Sequence, residues 1–155
     1  PPKRKTPVTT EPIVKSVHVP LAPAAAFDLF TARMGTWWPV ESHSVSAGQG
    51  APSQSLTLDG GLDGELVEVT ADGKREVWGK ILEWVPGEAF RMTWHPGKLP
   101  AEATEVRVTF TASGGGTEVV LTHSGWEALG DEGAKSRGGY NEGWVGVLER
   151  FVKAA

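Results

Sequence analysis

The chain contains no cysteine. That excludes disulfides, thiolate metal sites and a thiol nucleophile, and it suits a reducing, cytoplasmic compartment. No segment approaches the roughly 20 apolar residues of a membrane-spanning helix, and the start lacks the apolar core of a secretory signal. A membrane span is therefore not expected. Positive charge is in short supply: 15 lysines and arginines face 19 aspartates and glutamates, for a net charge of −4. A nucleic-acid binder normally presents a basic patch or stripe, so no nucleic-acid partner is expected. Tyrosine is nearly missing too, with one residue against seven tryptophans. Each indole brings a large apolar body and one N–H that wants an acceptor once buried, so this aromatic surface must be housed in a core or along a pocket.

What is present fits one domain. The 155 residues are 39% hydrophobic and 22% charged, which are ordinary globular values, and a second core would leave each half small. Residues 1–12, PPKRKTPVTTEP, set three basic side chains among prolines and threonines with little to bury, which predicts a flexible arm ahead of a single domain over 13–155. IVKSVHV (13–19) reads as a strand with Ile13, Val17 and Val19 on one face and His18 on the wet one. Pro23 suits the first turn of a helix carrying Phe27, Phe30 and Met34 at helical spacing, and TWWP (36–39) fits one further turn ended by Pro39. Residues 41–54 are small and polar, long for an internal connection, which suggests either mobility or function, a gate over a pocket being one reading.

Six more strands follow, at 55–58, 65–70, 75–85, 89–95, 104–112 and 117–123, separated by Asp-Gly and Gly-rich turns. This is hairpin chemistry and predicts a mostly antiparallel sheet. In the last three strands Phe90, Met92 and Trp94, then Val106, Val108 and Phe110, then Val119, Leu121 and His123 share one parity, while Arg91, Thr93, Arg107 and Thr109 take the other. The apolar face must be covered. The C-terminal run supplies the cover, a helical stripe of Tyr140, Trp144, Val147, Leu148 and Phe151. Gly143 and Gly146 interrupt it at about 1 kcal/mol each relative to alanine, a hint of close backbone approach or of room for a ligand.

Motifs of chemistry are sparse. GDEGAKSRGG (130–139) departs from a phosphate-binding loop, because Ala134 stands where that loop needs glycine, and it reads as a hinge into the last helix. His18, His43, His95 and His123 show no paired spacing of the kind that seats two imidazoles on one metal, so neither a metal nor a cofactor is expected. Ser42 and Ser44 flank His43 without the strand-turn-helix context of a nucleophile elbow. The remaining acid–base candidates are His43 and His123 meeting Glu83 in three dimensions. His123, on the inward parity, is either a core-edge histidine bonded to a backbone carbonyl or a polar contact for a ligand. His95, beside Pro96 at a strand end, is expected to be exposed. Adjacent helical residues point about 100° apart, so of Trp37 and Trp38 one should plug the core and the other should sit at a pocket rim or the surface.

Five stretches, VPLAPAAAFDLFT (19–31), GTWWP (35–39), ADGKREVWGKILEWVPGEAFRMTW (71–94), TEVRVTFTASGGGTEVVLTHSG (104–125) and GWVGVLERF (143–151), occur in an order that covers about 140 residues. In that order the chain resembles the activator of heat-shock protein 90 ATPase homologue family, within the START-like (SRPBCC) helix-grip superfamily. The resemblance implies an α+β helix-grip fold: about seven antiparallel strands curved round a long C-terminal helix, with two short helices after strand 1. It also implies a cavity between sheet and helix, of the kind many superfamily members use for apolar or polycyclic ligands, and it brings no catalytic motif.

The wall of such a cavity is then expected from Trp37 and Trp38, from Phe90, Met92, Trp94, Val108, Phe110, Leu121 and His123 on the sheet, and from Trp144 and Leu148 on the helix. Three functions follow from this frame. The first is a binding module for an apolar small molecule, with the protein a monomer or weak dimer. The second is a co-chaperone-like domain whose partner is a heat-shock protein 90 type ATPase. The third is a cyclase- or hydrolase-type enzyme built on a histidine/carboxylate pair.

Overall fold

Runs rich in β-branched and aromatic residues, cut by glycine turns, pair into seven strands: β1 (Ile13–Val19), β2 (Ser55–Leu58), β3 (Glu65–Val69), β4 (Arg75–Val85), β5 (Ala89–Trp94), β6 (Thr104–Ser113) and β7 (Gly116–Ser124). The computed structural model describes residues 9–155. The first eight residues of the expected arm lie outside that range. The arm's last residues pass the C-terminal helix, where Arg137 donates to the carbonyls of Glu11 (2.6 Å) and Pro12 (3.5 Å). All pairings are antiparallel in the order β1-β7-β6-β5-β4-β3-β2. Each neighbour is a hairpin partner except β1, which lies against β7 with Ile13 opposite His123.

The curvature comes from β4. Its register slips against β3 between Leu66 and Val67, and against β5 between Ile81 and Glu83. Each slip admits one extra residue, so Trp78, Ile81 and Trp84 all turn toward the core and the strand bends. Gly79 sits at the first slip, where a Cβ would lie 1.8 Å from the Thr93 carbonyl oxygen, so no side chain fits.

Three helices cover the inward face: α1 (Pro23–Phe30), α2 (Val45–Gly48) and α3 (Gly133–Ala154). Pro23 opens α1, and the Thr31 hydroxyl closes it on the Phe27 carbonyl at 2.7 Å. The turn expected at TWWP falls earlier, as a 3₁₀ turn over Met34–Thr36. Gly35 permits it, since a Cβ there would lie 2.5 Å from the Leu56 carbonyl of β2. Two further segments carry helix that the sequence reading leaves out. Residues 41–54 contain α2, capped by Ser44, whose hydroxyl accepts from the Ala47 amide at 3.0 Å. The hinge read over 130–139 is mostly helical, because α3 starts at Gly133 and is preceded by a 3₁₀ segment, Trp126–Glu132.

The helix spends propensity to run that far. Gly138 and Gly139 lie on its exposed side, and a Cβ at either meets nothing within 4 Å. Replacing each with alanine is expected to stabilise the protein by up to about 1 kcal/mol, read as a shift in the urea midpoint at unchanged slope. A destabilised variant would mean that these glycines serve something other than the helix.

Candidate functional site: a tryptophan-walled cavity

The space between sheet and α3 is divided. At one end α1 drives Phe27 and Phe30 into the mouth of the sheet. Phe30 lies 4.9 Å from Phe151 and 5.8 Å from Phe90, and Phe27 lies 5.2 Å from Phe110, measured between ring centroids. This phenylalanine cluster is solid. At the other end, beyond the indoles, a cavity of about 370 Å³ remains, toward the small end of ligand-sized pockets.

Trp37 and Trp38 stand at the divide. Trp37 belongs to the packed end, 5.2 Å from Phe30 and 5.3 Å from Phe151, and its N–H donates to the Leu29 carbonyl at 2.8 Å. Trp38 turns the other way, 5.4 Å from Trp78, 5.8 Å from Trp144 and 6.0 Å from Trp94. Its N–H donates to the His43 carbonyl at 2.7 Å and so ties the wall to the loop above it. Both rings are buried.

The cavity is walled by Trp38, Trp78, Trp94 and Trp144, by Tyr140 and Val147 of α3, by Pro96 and Gly97, and by the loop from Ser42 to Val45 with Gly48. Of the wall residues expected from sequence, the structure brings Trp38, Trp94 and Trp144 together here. Trp37, Phe90, Met92, Val108, Phe110 and Leu121 lie in the packed core instead, where Phe27 and Phe30 of α1 fill the space that Phe90 and Phe110 face. Leu148 is also buried, on the side of α3 that faces Val17 of β1. His95, expected to be exposed, is buried at 6% exposure. The chain turns over it, with its backbone N–H on the Trp78 carbonyl at 2.6 Å and its ring Nδ1 bonded to the Lys98 carbonyl at 3.2 Å.

The histidine/carboxylate pair does not assemble. Glu83 lies on the outer face of the sheet, 3.8 Å from Arg91 and 3.6 Å from Arg107. His123 is fully buried one layer behind the cavity wall, 4.1 Å from Trp126 and 4.9 Å from Tyr140. It bonds to no backbone carbonyl through its ring. Its Nδ1 accepts from the Trp144 indole N–H at 3.0 Å, which leaves the ring proton on Nε2, facing the Thr104 hydroxyl at 2.7 Å. Thr104 passes its own proton to the Trp94 carbonyl at 3.2 Å. The relay needs a neutral imidazole, and burial pushes the His123 pKa down to about 3.

Two polar side chains border the cavity itself. His43 holds its Nδ1 on the Ser42 hydroxyl at 2.7 Å, and its ring edge lies 3.7 Å from where a Cβ on Gly143 of α3 would stand. Tyr140 accepts a hydrogen bond from Trp94 Nε1 on its phenol oxygen at 3.3 Å. Burial raises the Tyr140 pKa above the ordinary phenol value, with the Trp94 bond opposing, so the group remains a neutral phenol.

Sequence reasoning missed Trp78 and Tyr140 as wall residues, and it missed Glu68. Glu68 is fully buried on the inward parity of β3, between Leu66 and Thr70. Its carboxyl oxygens accept from the Val45 and Ser46 amides (2.9 Å each), the Ser53 hydroxyl (2.6 Å) and Trp78 Nε1 (3.0 Å). One acid thus fastens both ends of the loop that roofs the cavity and fixes an indole in its wall. The signal was available, since an acid on an apolar parity asks for buried donors.

A curved antiparallel sheet closed over one long C-terminal helix, with an apolar cavity between them, defines the helix-grip, START-like class. Residues 21–155 match the family described as Activator of Hsp90 ATPase homolog 1-like protein, and the chain belongs to that family. No curated protein matches the chain. Among solved structures, Txn09, an anthrahydroquino-γ-pyrone synthase, is 29% identical with a TM-score of 0.64 over 97% of this chain and 100% of that one. The Aha1 dimer of Colwellia psychrerythraea is 18% identical, with a TM-score of 0.66 over 93% and 95% of the two chains. DynU16, from the dynemicin biosynthetic locus, is 15% identical, with a TM-score of 0.60 over 92% of this chain and 46% of that one. The last two likenesses concern the fold alone. It is a fold whose members commonly bind hydrophobic ligands or act as polyketide cyclases. No helix among the described residues is long and apolar enough to cross a membrane.

Proposed function

We propose that the chain binds a planar, fused-ring small molecule in the cavity between Trp38, Trp78, Trp94 and Trp144. The observation that carries this reading is the wall itself. Four indoles and Val147 line a partly open cleft of about 370 Å³ beneath the Ser42–Val45 loop, a concave and mostly apolar site of the kind small molecules occupy. Flat aromatic faces favour a flat aromatic guest through offset and edge-to-face contacts.

The test is a panel of anthracene- and anthraquinone-type compounds, read by thermal unfolding. A ligand present at about 100 times its Kd is expected to add about 2.7 kcal/mol of stability. Val147→Phe, which fills the cavity from α3, is expected to abolish the response while keeping the fold. A response that survives Val147→Phe would place the binding elsewhere.

A cyclase-type enzyme acting on the same guest is the second reading, favoured by the 29% identity to Txn09 along the whole chain and by the His43 imidazole at the cavity edge. The Ser42 bond fixes the His43 ring at Nδ1, leaving Nε2 to exchange a proton. His43→Ala would then remove turnover and keep binding. Assistance to a heat-shock protein 90 type ATPase is the reading left if neither binding nor turnover is found, and its assay is the ATPase rate of the chaperone with and without this chain.

A further inference from the structure

The Tyr140 phenol is half used. Its oxygen accepts from Trp94 Nε1, while its proton has no acceptor among the described residues, and the ring borders the cavity. An N–H donated to a phenol oxygen polarises the O–H and makes it a better donor. Beside it on the sheet and α3 the wall is indole and valine, with Ser42, His43 and Ser44 across from it on the loop, and the indole N–H groups are already committed: Trp38 to the His43 carbonyl, Trp78 to Glu68 and Trp144 to His123. The cavity therefore offers an apolar guest one unspent donor from α3.

Resting on the cavity reading above, we infer that the ligand is a fused-ring ketone or quinone whose carbonyl oxygen accepts the Tyr140 hydroxyl proton. A hydrocarbon of the same shape offers that donor no acceptor, which discriminates against it. Trp94 acts at one remove, by orienting the phenol.

The experiment compares anthracene and anthraquinone, each carrying the same solubilising carboxylate, by titration calorimetry against the wild-type chain and Tyr140→Phe. The wild type is expected to prefer anthraquinone by about three- to tenfold. Tyr140→Phe should lose that preference, binding anthracene at least as well as the wild type does because the unpaired hydroxyl is gone. The infrared carbonyl stretch of the quinone should fall on binding to the wild type, a readout that needs no variant to fold. Equal binding of both probes by the wild type, or an unshifted carbonyl stretch, overturns the ketone inference and leaves the cavity reading standing. A preference retained in Tyr140→Phe does the same. If neither probe binds the folded wild type, the cavity reading fails, and this inference fails with it.

Discussion

Glu68→Ala is expected to destabilise the protein by about 3–5 kcal/mol and to release residues 42–53 from the sheet. The carboxylate collects the Val45 and Ser46 amides, the Ser53 hydroxyl and the Trp78 indole N–H in a fully buried place. Truncation removes one group and strands four donors, each of which costs about 1–3 kcal/mol if it stays buried without a partner. The loop is the cheaper part to give up, since two of the donors are backbone amides of a four-residue helix that cannot hold itself. Urea denaturation should report the loss of stability, and hydrogen exchange at Val45 and Ser46 should accelerate far more than exchange in β6. Glu68→Gln keeps the shape but turns an amide NH₂ toward one of the donors, and a smaller loss of about 1–3 kcal/mol is expected. A Glu68→Ala protein within 1 kcal/mol of the wild type, with slow exchange at both amides, would show that the roof is held by something else.

The second large effect is a pH dependence. His123 is neutral in the folded state because burial lowers its pKa from 6.5 to about 3. Above about pH 6.5 the imidazole is neutral in both folded and unfolded chains and contributes no slope. Between about 6.5 and about 3 the unfolded chain takes up a proton that the folded one refuses, so stability falls as pH falls, by up to about 1.4 kcal/mol per unit. Below the folded value the loss levels off. Carboxylates titrate in the lower part of this window as well, so the informative quantity is a difference. From pH 7 to pH 5 the wild type is expected to lose about 2 kcal/mol more than His123→Asn, which cannot titrate. Parallel stability profiles for the two proteins would mean that the buried ring accepts its proton without cost, and the relay from Trp144 to the Trp94 carbonyl would have to be redrawn.

The fold is legible in the sequence where local chemistry decides. Pro23 and the Phe27/Phe30 spacing announce α1, and the alternation from Phe90 to His123 announces three strands and their inward face. Alternation says which way a side chain points and nothing about what it meets. Phe90 and Phe110 point inward as read, yet they meet the wedge of α1 rather than a ligand-sized space. The boundary between packed core and cavity is set by the pairing of Trp37 with Phe151 and of Trp38 with Trp144, contacts that local spacing cannot reveal. The hold on the roof is hidden from the sequence for a related reason. Small polar residues between 41 and 54 describe a loop with no hold of its own, and the hold comes from an acid on a different strand, 22 and 23 residues from the amides it fastens.

The crossing of β1 to the far side of β7 bears on how the chain comes to be folded. Six strands can join by closing hairpins one after another, each a local event. The strand that is synthesised first has to wait for the partner that is synthesised last, because Ile13 to Val19 find their register only against Thr117 to His123. Until then its edge and the inward valines are open to solvent, and loop closure across most of the domain must precede any reward. β1 should therefore be the last strand to gain exchange protection during refolding and the first to be captured by a chaperone or by another copy of itself.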